Sequence, residues 1–289
     1  MKFVFKKLAL VGAIAVAFAT PAMAAVSASA TISDFTITLY DLNPLDGIVP
    51  TMTWANVSGI DPNMATYTSA NVSGQYGNSN TNNYMPIGQV NSSTAGIFNA
   101  AASATITATS VTASGSATAT SGGWPGKSFS ASAQNYNGGS SFVLSANTAV
   151  VFQANASTQA SSTAGYDYLT GYGESASAMA FMTVSGAGAS GNGSQSSYDS
   201  TSSAAGTYYW GYPGSPSTQS TSVTLAGAFV NTSAGNLTGI FQLGASVNGQ
   251  TSVVDMPLAI AAVPEPESYA MFLAGLGLIG AMARRRQSL

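Results

Sequence analysis

The sequence predicts an all-β domain, an antiparallel β-sandwich, with a short apolar segment at each end of the chain. Hydrophobic residues in the body alternate with polar residues at period two, polar turn-rich stretches separate these runs, and no convincing amphipathic helix lies between the ends. Many short strands of this kind are typical of sandwiches. An irregular β-solenoid is the alternative fold, although the sequence has no fixed repeat period.

The N-terminal residues 1–24 have the composition of a secretory signal peptide. The basic stretch MKFVFKK precedes an apolar run of twelve residues at positions 8–19, and TPAMA supplies small residues at Ala22 and Ala24. Twelve residues make about 18 Å of helix, which is well short of a bilayer core of roughly 30 Å. We therefore predict a signal peptide that is cleaved after Ala24.

The first strand of the body is predicted at FTITLY, where Phe35, Ile37 and Leu39 share one face. ATITATSVTAS continues the alternation within residues 101–122, of which 11 of 22 are serine or threonine. That composition also fits a disordered or glycosylated tract, but the alternation favours strands. FVLSANTAVVFQANAST and SASAMAFMTVSG extend the pattern, whereas GQYGNSNTNN is interpreted as a polar separator rich in turns.

Two later runs predict a β-hairpin. Alternate residues are apolar or glycine along SVTLAGAFV and again from Leu237 to Val247, and the turn NTSAGN joins the two runs. Asn248 and Gly249 in VNGQ form the strongest two-residue hairpin signal. They predict a further tight turn before TSVVDMPLAI.

The body of the chain has almost no positive charge. Charged residues make up 6% of the sequence, and the only cation between residues 25 and 263 is Lys127. Eight acidic residues lie in the same range, so its net charge is −7 (one positive minus eight negative). A polyanion is bound through a basic patch, so this balance argues against a nucleic-acid partner. The chain has no histidine and no cysteine, which removes the usual general base and the commonest transition-metal ligand.

Two motifs that resemble ligand sites are better explained as turns. GAGASG at residues 186–191 matches a dinucleotide fingerprint, but the following NGSQSSYDSTSS is unsuited to the helix that would hold a pyrophosphate. DLNPLDG brings Asp41 and Asp46 close together, but it departs from the calcium-binding EF-hand pattern. We predict a flexible turn at the first motif and an Asx turn at the second.

Catalytic candidates are few. Asp167 and Glu174 form a glycosidase pair only if folding brings their carboxylates to the required separation. Lys127, the one lysine available to activate a serine, follows GGWPG and is predicted in an exposed loop. We therefore predict no catalytic residue, no cofactor and no metal site, and expect that the protein is not an enzyme.

Aromatic residues form two clusters in the sequence: Tyr166, Tyr168 and Tyr172, and then Tyr208, Tyr209, Trp210 and Tyr212. Exposed rings stack on the faces of sugars, which makes Tyr208, Tyr209 and Trp210 candidate glycan-stacking residues. The alternative is that alternate rings fill the core while the others cover strand edges, and strand statistics favour it.

The C-terminal stretch VPEPESYAMFLAGLGLIGAMARRRQSL differs in composition from the body. It contains, in order, Pro264, Glu265, Pro266, an uncharged segment at residues 269–283, and Arg284, Arg285 and Arg286. Arginines directly after an apolar segment resist translocation and act as a membrane stop. Fifteen residues span only about 22 Å as a helix, which is marginal for a permanent membrane anchor.

This segment resembles the PEP-CTERM sorting signal of Gram-negative bacteria, since the tripeptide, the apolar segment and the arginine cluster occur in that family's order. The resemblance covers about 25 of 289 residues. It implies recognition by a membrane-embedded exosortase, removal of the tail near the tripeptide, and release or attachment at the cell surface. Genes of this family tend to accompany exopolysaccharide production. A single-pass anchor that is never cut is the alternative.

The predicted organisation is therefore a signal peptide at residues 1–24, a β-rich exported domain at residues 25–262 and a sorting segment at residues 263–289. The first functional hypothesis is a structural or interaction protein of the cell surface or of an exopolysaccharide matrix. The second is a carbohydrate-binding module that uses the tyrosine and tryptophan clusters. Few lysines protect the strand edges, so self-association is also expected.

Overall fold

The computed structural model describes residues 24–55, 66–74, 77–85, 89–119, 126–135, 140–163, 166–167, 172–188, 194–206 and 217–251. All of them belong to one compact unit, Met23–Val254. Fifteen β-strands and no helix lie within these ranges. The strands are β1 (Ala24–Asp41), β2 (Met52–Ala55), β3 (Thr66–Gly74), β4 (Gly77–Met85), β5 (Asn91–Ile97), β6 (Ala100–Ile106), β7 (Ser110–Ala119), β8 (Lys127–Asn135), β9 (Ser140–Leu144), β10 (Thr148–Ser162), β11 (Tyr166–Asp167), β12 (Tyr172–Ala187), β13 (Ser194–Ala205), β14 (Ser217–Asn231) and β15 (Leu237–Thr251).

The strands form two antiparallel sheets. The first has six strands in the order β14-β10-β1-β7-β6-β5. The second has nine strands, with the main order β11-β12-β15-β8-β3-β4, and with β13 paired to β12 and the β2–β9 pair joined to β15. The sheets face each other strand by strand, with β14 on β13, β10 on β12, β1 on β15, β7 on β8, β6 on β3 and β5 on β4. This confirms the antiparallel sandwich and excludes the solenoid alternative.

The core is built by alternation along each strand, and its content changes from one end of the sandwich to the other. Strand β10 alternates buried and exposed residues along most of its length. Phe152 near its start and Ser162 at its end are both buried. We call the region around six rings the aromatic end: Phe35, Trp54, Phe142, Phe152, Phe229 and Phe241. We call the opposite region, where buried hydroxyls and one carboxylate lie, the polar end: Thr158, Ser162, Glu174, Ser203 and Thr251.

A β-bulge in β1 preserves the inward face of that strand. Its pairing with β10 shifts between Ser33 and Thr36, and Asp34 adopts a left-handed φ of 55°. Inward positions are even-numbered up to Ile32 and odd-numbered from Phe35 onwards, because the extra residue reverses the alternation. Phe35 and Leu39 pack against the core as predicted, whereas Ile37 is 39% exposed.

The predicted hairpin between β14 and β15 is wrong. The alternation is correct, since Leu225 and Phe229 in one strand and Phe241 in the other are buried. However, β14 pairs with β10 in the first sheet, and β15 pairs with β12, β8 and β9 in the second. The NTSAGN turn therefore passes from one sheet to the other, which places both apolar faces on the same core.

The tight turn predicted at Asn248 and Gly249 is also wrong, because both residues lie inside β15. A Cβ atom on Gly249 would lie 2.4 Å from the ring of Phe129, and one on Gly115 would lie 2.1 Å from the same ring. Glycine is present at position 249 because a buried aromatic ring crosses it there.

Two polar segments form strands that the sequence patterns did not predict. The separator GQYGNSNTNN contains most of β4, which pairs with β3, and SQSSYDSTSS belongs to β13, which pairs with β12. The segment SQSSYDSTSS, which follows GAGASG, is therefore a strand and not the helix that a dinucleotide fingerprint requires. Residues 101–119 are strands and a turn, so their predicted strand character is confirmed.

Side-chain amides cover backbone groups at both edges of the sandwich. At one edge, Gln195 of β13 donates from Nε2 to Val230 O (2.7 Å) and accepts at Oε1 from Val230 N (3.1 Å). At the other edge, the buried Asn91 of β5 donates from Nδ2 to Thr66 O (3.1 Å) and Asn83 O (3.2 Å). These amides cross between the sheets and occupy groups that a further strand would otherwise use.

The predicted signal peptide up to Met23 and the C-terminal segment from residue 263 lie outside the described residues. Within the part that the structure describes, no helix is long and apolar enough to cross a membrane.

Candidate functional site

A cleft with a volume of about 300 Å³ lies at the aromatic end. Trp54, Phe35 and Phe241 form its aromatic wall. The Trp54 ring centroid lies 5.9 Å from that of Phe241 and 6.2 Å from that of Phe142, to which its plane is nearly perpendicular at 87°. Trp54 is nevertheless 42% exposed, so one part of the indole is fixed by packing while another part faces outward.

Strand pairing and one glycine fix the position of these rings. Trp54 lies opposite Phe142 in the β2–β9 pair. A Cβ atom on Gly239 of β15 would lie 2.3 Å from the Phe142 ring, so only glycine leaves the space that this ring fills. The bulge in β1 turns Phe35 towards Phe241, with their ring centroids 5.2 Å apart. The cleft wall is therefore held by backbone geometry as well as by side-chain contacts.

Uncharged polar groups lie around the cleft. Asn135 donates from Nδ2 to Phe241 O (2.7 Å) and accepts at Oδ1 from Leu243 N (2.7 Å). Both polar atoms of its side-chain amide are therefore hydrogen-bonded to β15. The hydroxyls of Thr107 and Ser110 lie 2.8 Å apart at the turn between β6 and β7. None of the lining residues that the structure describes is charged. The cleft therefore has the chemistry to stack on apolar faces and to exchange neutral hydrogen bonds.

The aromatic residues that line the cleft, among those that the structure describes, were not selected from the sequence. Tyr208, Tyr209 and Trp210 lie outside the described residues, and their role in glycan stacking stays a prediction. Trp54 was missed because it lies in MTWAN, a short stretch without long alternation or neighbouring tyrosines. Its only sequence signal was its residue type, since tryptophan often combines burial with an exposed edge.

Asp41 and Asp46 form turns, as predicted. Asn43 N donates to Asp41 Oδ1 (2.9 Å) and Ile48 N donates to Asp46 Oδ1 (2.8 Å), which are Asx turns. Asp46 also accepts a hydrogen bond from Asn147 Nδ2 at 2.6 Å. In the described ranges, no group of three or more acidic, histidine or cysteine side chains could hold a metal ion.

The catalytic candidates lie apart from the cleft. Glu174 is fully buried at the polar end, and its carboxylate accepts hydrogen bonds from Thr163 N and Oγ1. Lys127 does not lie in an exposed loop as predicted, because it begins β8 and is half-buried. Its ammonium donates to Thr118 O (3.1 Å) and lies 5.4 Å from the centroid of the Phe98 ring.

Among the predicted targeting residues, only Ala24 falls within the described ranges, and it begins β1. Ala22, Pro264, Glu265, Pro266, Arg284, Arg285 and Arg286 lie outside them. Their roles stay predictions from the sequence.

Comparison with known protein families identifies a PEP-CTERM protein-sorting motif at residues 262–287. The match contains the Pro-Glu-Pro tripeptide, the apolar segment and the arginine cluster, which confirms the resemblance inferred from the sequence. The motif implies export, sorting to the cell surface and processing by an exosortase. No curated protein and no solved structure matches the chain.

Proposed function

We propose that this chain is a structural or interaction protein of the cell surface that associates there with exopolysaccharide. The observation that carries the proposal is the sorting motif at residues 262–287, which implies an exported protein processed by an exosortase. The signal-peptide pattern of residues 1–24 supports the same route.

The surface of the described strands supports contact with neutral polymers. Every residue of β4 is exposed or half-exposed, and the strand consists mainly of asparagine, serine and threonine. The first half of β14, which reads STQSTSV, is similarly exposed. Hydroxyl and amide groups both donate and accept hydrogen bonds, so such faces bind sugar hydroxyls without requiring charge.

Sorting is tested by expressing the full chain in the native host and comparing Glu265→Ala with Asp255→Ala. The control changes an acidic residue outside the matched residues. We expect Glu265→Ala to remain in the membrane fraction with its tail uncut, and Asp255→Ala to be processed like the unaltered chain. Equal processing of the two variants would show that the tripeptide does not direct cleavage.

The aromatic cleft favours a second candidate function, the binding of a neutral polysaccharide. Its specific support is Trp54, which is 42% exposed although its ring packs against Phe142, Phe152 and Phe241. A rigidly held indole stacks on the apolar face of a sugar ring at little cost in conformational entropy. The hydroxyls of Thr107 and Ser110 lie in the same lining and complement sugar hydroxyls.

Polysaccharide binding is tested by titrating processed protein with exopolysaccharide from the native host. We compare Trp54→Ala with Tyr198→Ala, which removes an aromatic ring that is 62% exposed on β13 and does not line the cleft. We expect binding to weaken by tenfold or more for Trp54→Ala and by less than twofold for Tyr198→Ala, because only Trp54 lines the cleft and a central tryptophan often carries much of the binding energy. Thermal unfolding of both variants separates lost binding from lost folding. Equal affinities of the two variants for the polysaccharide would show that the cleft is not the binding site.

We propose a binding role and no catalytic one. The support comes from the absence of histidine in the whole chain and from the position of Glu174, whose buried carboxylate is bonded to Thr163. Purified protein is expected to release no reducing ends from polysaccharide. Turnover that disappears in Glu174→Gln would contradict this.

A further inference from the structure

Strand β4 is an edge strand that is polar on both of its faces. It pairs with β3 and, within the described residues, with no other strand. Asn78, Asn80 and Asn82 are exposed on its outer face. Thr81 is also exposed, although it lies opposite the buried Ala70 on the side that faces the first sheet. Strands that are polar on both faces are prone to pair with other strands, because such pairing disturbs no packed apolar face.

The outer edge of β4 carries backbone groups that point away from β3. Asn91 Nδ2 of the first sheet donates to Asn83 O (3.2 Å), so the carbonyl group of Asn83 points towards this edge. Backbone direction alternates along an antiparallel strand, so the N–H and C=O groups of Ser79 and Thr81 point the same way. Within the described residues, no hydrogen bond reaches those groups of Ser79 and Thr81. The cover that Asn91 provides therefore ends before the middle of the strand.

The sequence of this edge is complementary to itself. Residues 78–82 read Asn-Ser-Asn-Thr-Asn, so the reversed order again has asparagine at the first, third and fifth positions and a hydroxyl residue between them. In an antiparallel pair of two copies centred on Asn80, Asn78 lies opposite Asn82 of the second copy. Ser79 then lies opposite Thr81 of the second copy on the other face. Matched amide and hydroxyl pairs of this kind stabilise neighbouring strands.

The charge of the chain also fits contact through this strand. β4 contains no charged residue, so no like charges oppose each other when two copies of it meet. The remainder of the body is negative, and the long-range repulsion between two copies weakens as salt is added. On the outer face, Asn82 Oδ1 accepts a hydrogen bond from the Tyr67 hydroxyl (3.3 Å), which leaves Asn82 Nδ2 to donate across the pair.

We propose that β4 pairs with β4 of a second copy of this chain, antiparallel and with two-fold symmetry about Asn80. Ser79 and Thr81 exchange backbone hydrogen bonds with Thr81 and Ser79 of the second copy, which makes about four bonds. The two nine-stranded sheets then form one continuous sheet. The contact is much smaller than a standard interface of about 1,600 Å², so the pair forms only at high protein concentration, as on a crowded cell surface. It requires neither the sorting motif nor a polysaccharide, and its failure would leave the proposed function untouched.

The register is tested by disulfide formation in processed protein, because the sequence contains no cysteine of its own. In the proposed pair, position 80 lies opposite itself with Cα atoms about 4.5 Å apart, which is within disulfide range. Position 82 lies opposite position 78, so two cysteines at position 82 are separated by about 13 Å along the strands. Asn82→Cys is therefore the matched control for Asn80→Cys, since it lies on the same face of the same strand and is also exposed.

We expect Asn80→Cys to form disulfide-linked dimers at least tenfold faster than Asn82→Cys. A mixture of Asn78→Cys and Asn82→Cys should form mixed dimers as fast as Asn80→Cys forms its own. Equal rates for Asn80→Cys and Asn82→Cys would overturn the proposal.

A charge at the two-fold axis tests the pairing without oxidation. Asn80→Lys places two ammonium groups opposite each other, whereas Asn248→Lys adds the same charge to the exposed outer face of the interior strand β15. In sedimentation, we expect the Kd of self-association to rise tenfold or more for Asn80→Lys and less than twofold for Asn248→Lys. Added salt should lower the Kd of the unaltered protein.

Thermal unfolding shows whether both lysine variants remain folded, and if Asn80→Lys does not fold, the disulfide rates decide. A folded Asn80→Lys variant that associates as strongly as the unaltered protein would overturn the proposal. So would an unaltered protein that stays monomeric at the highest concentration reached.

Discussion

The two ends of the sandwich have the same alternation of buried and exposed residues, but their cores are packed with different kinds of side chain. At the aromatic end, six rings fill the space between the sheets, with centroids as close as 4.6 Å for Phe152 and Phe241. At the polar end, alanines and hydroxyl residues face each other across the sheets, for example Thr158 Oγ1 and Ser203 Oγ at 2.8 Å. Phe129 is the large buried side chain of that half, and it fits because glycines lie across it.

The difference separates a region that is open to the outside from a region that is closed. Ring packing at the aromatic end leaves a neutral cleft with one partly exposed indole, which suits an external ligand. Hydrogen bonds at the polar end connect Ala25 of β1 to Thr163, and Thr163 to the buried carboxylate of Glu174, so they hold neighbouring strands together. The free energy of unfolding should therefore depend at the aromatic end on the volume of the buried rings. At the polar end it should depend on the contact between Phe129 and its glycines and on buried hydrogen bonds.

The largest expected effect is at the aromatic end. Phe152→Ala removes a fully buried ring that contacts four others. We expect a loss of about 3–5 kcal/mol in the free energy of unfolding, measured by denaturant titration, because the lost burial adds to the cavity left behind. Ile37→Ala on β1 is the control and should cost less than about 1 kcal/mol, since Ile37 is 39% exposed. Similar losses would mean that the rings do not form a packed unit.

A smaller effect is expected where Phe129 crosses glycine. Gly249→Ala places a methyl group 2.4 Å from this ring, so we expect a loss of about 1–3 kcal/mol from overpacking. Gly96→Ala in strand β5 is the matched control, because the nearest atom to a Cβ there is 4.0 Å away. The control should be neutral or stabilising by about 0.5–1 kcal/mol, because alanine lowers the entropy of the unfolded chain. A neutral Gly249→Ala would refute the close fit at the polar end.

The smallest effect on stability is expected at the sheet edge. The same substitution also tests the predicted self-association. Gln195→Ala removes two hydrogen bonds to Val230 and should cost about 1 kcal/mol. It also frees backbone groups of an edge strand, so sedimentation at high concentration should show more association than in the unaltered protein. Gln153→Ala, on the exposed face of the interior strand β10, should change neither quantity. No added association would mean that this edge is not a route to self-association.

Local patterns predicted the strands better than they predicted strand pairing. Alternation identified the inward faces of β14 and β15 because it depends only on which side chains meet the core. It could not show that the two strands lie in different sheets, because a turn within one sheet and a crossing between sheets bury the same residues. Asn248 and Gly249 were misread for a related reason, since the packing of Phe129 outweighs the turn propensity of the pair.

The polar strands and the cleft were beyond sequence reasoning for different reasons. β4 and β13 present few apolar residues, and they are strands because β3 and β12 offer unpaired backbone groups beside them. Trp54 becomes part of a site only through contacts with residues far away in the chain, such as Phe152 and Phe241. The sorting motif, by contrast, was recognisable because its parts are contiguous in the sequence.

Processing at both ends of the chain is tested most directly by the intact mass of the protein recovered separately from membrane and medium fractions of the native host. We expect a chain that begins at Ala25 and ends near Glu265, and any excess mass would report an attached group. A mass that runs through to Leu289 and is found only in membranes would contradict it, because the C-terminal segment would then be a permanent anchor and not a processed sorting signal.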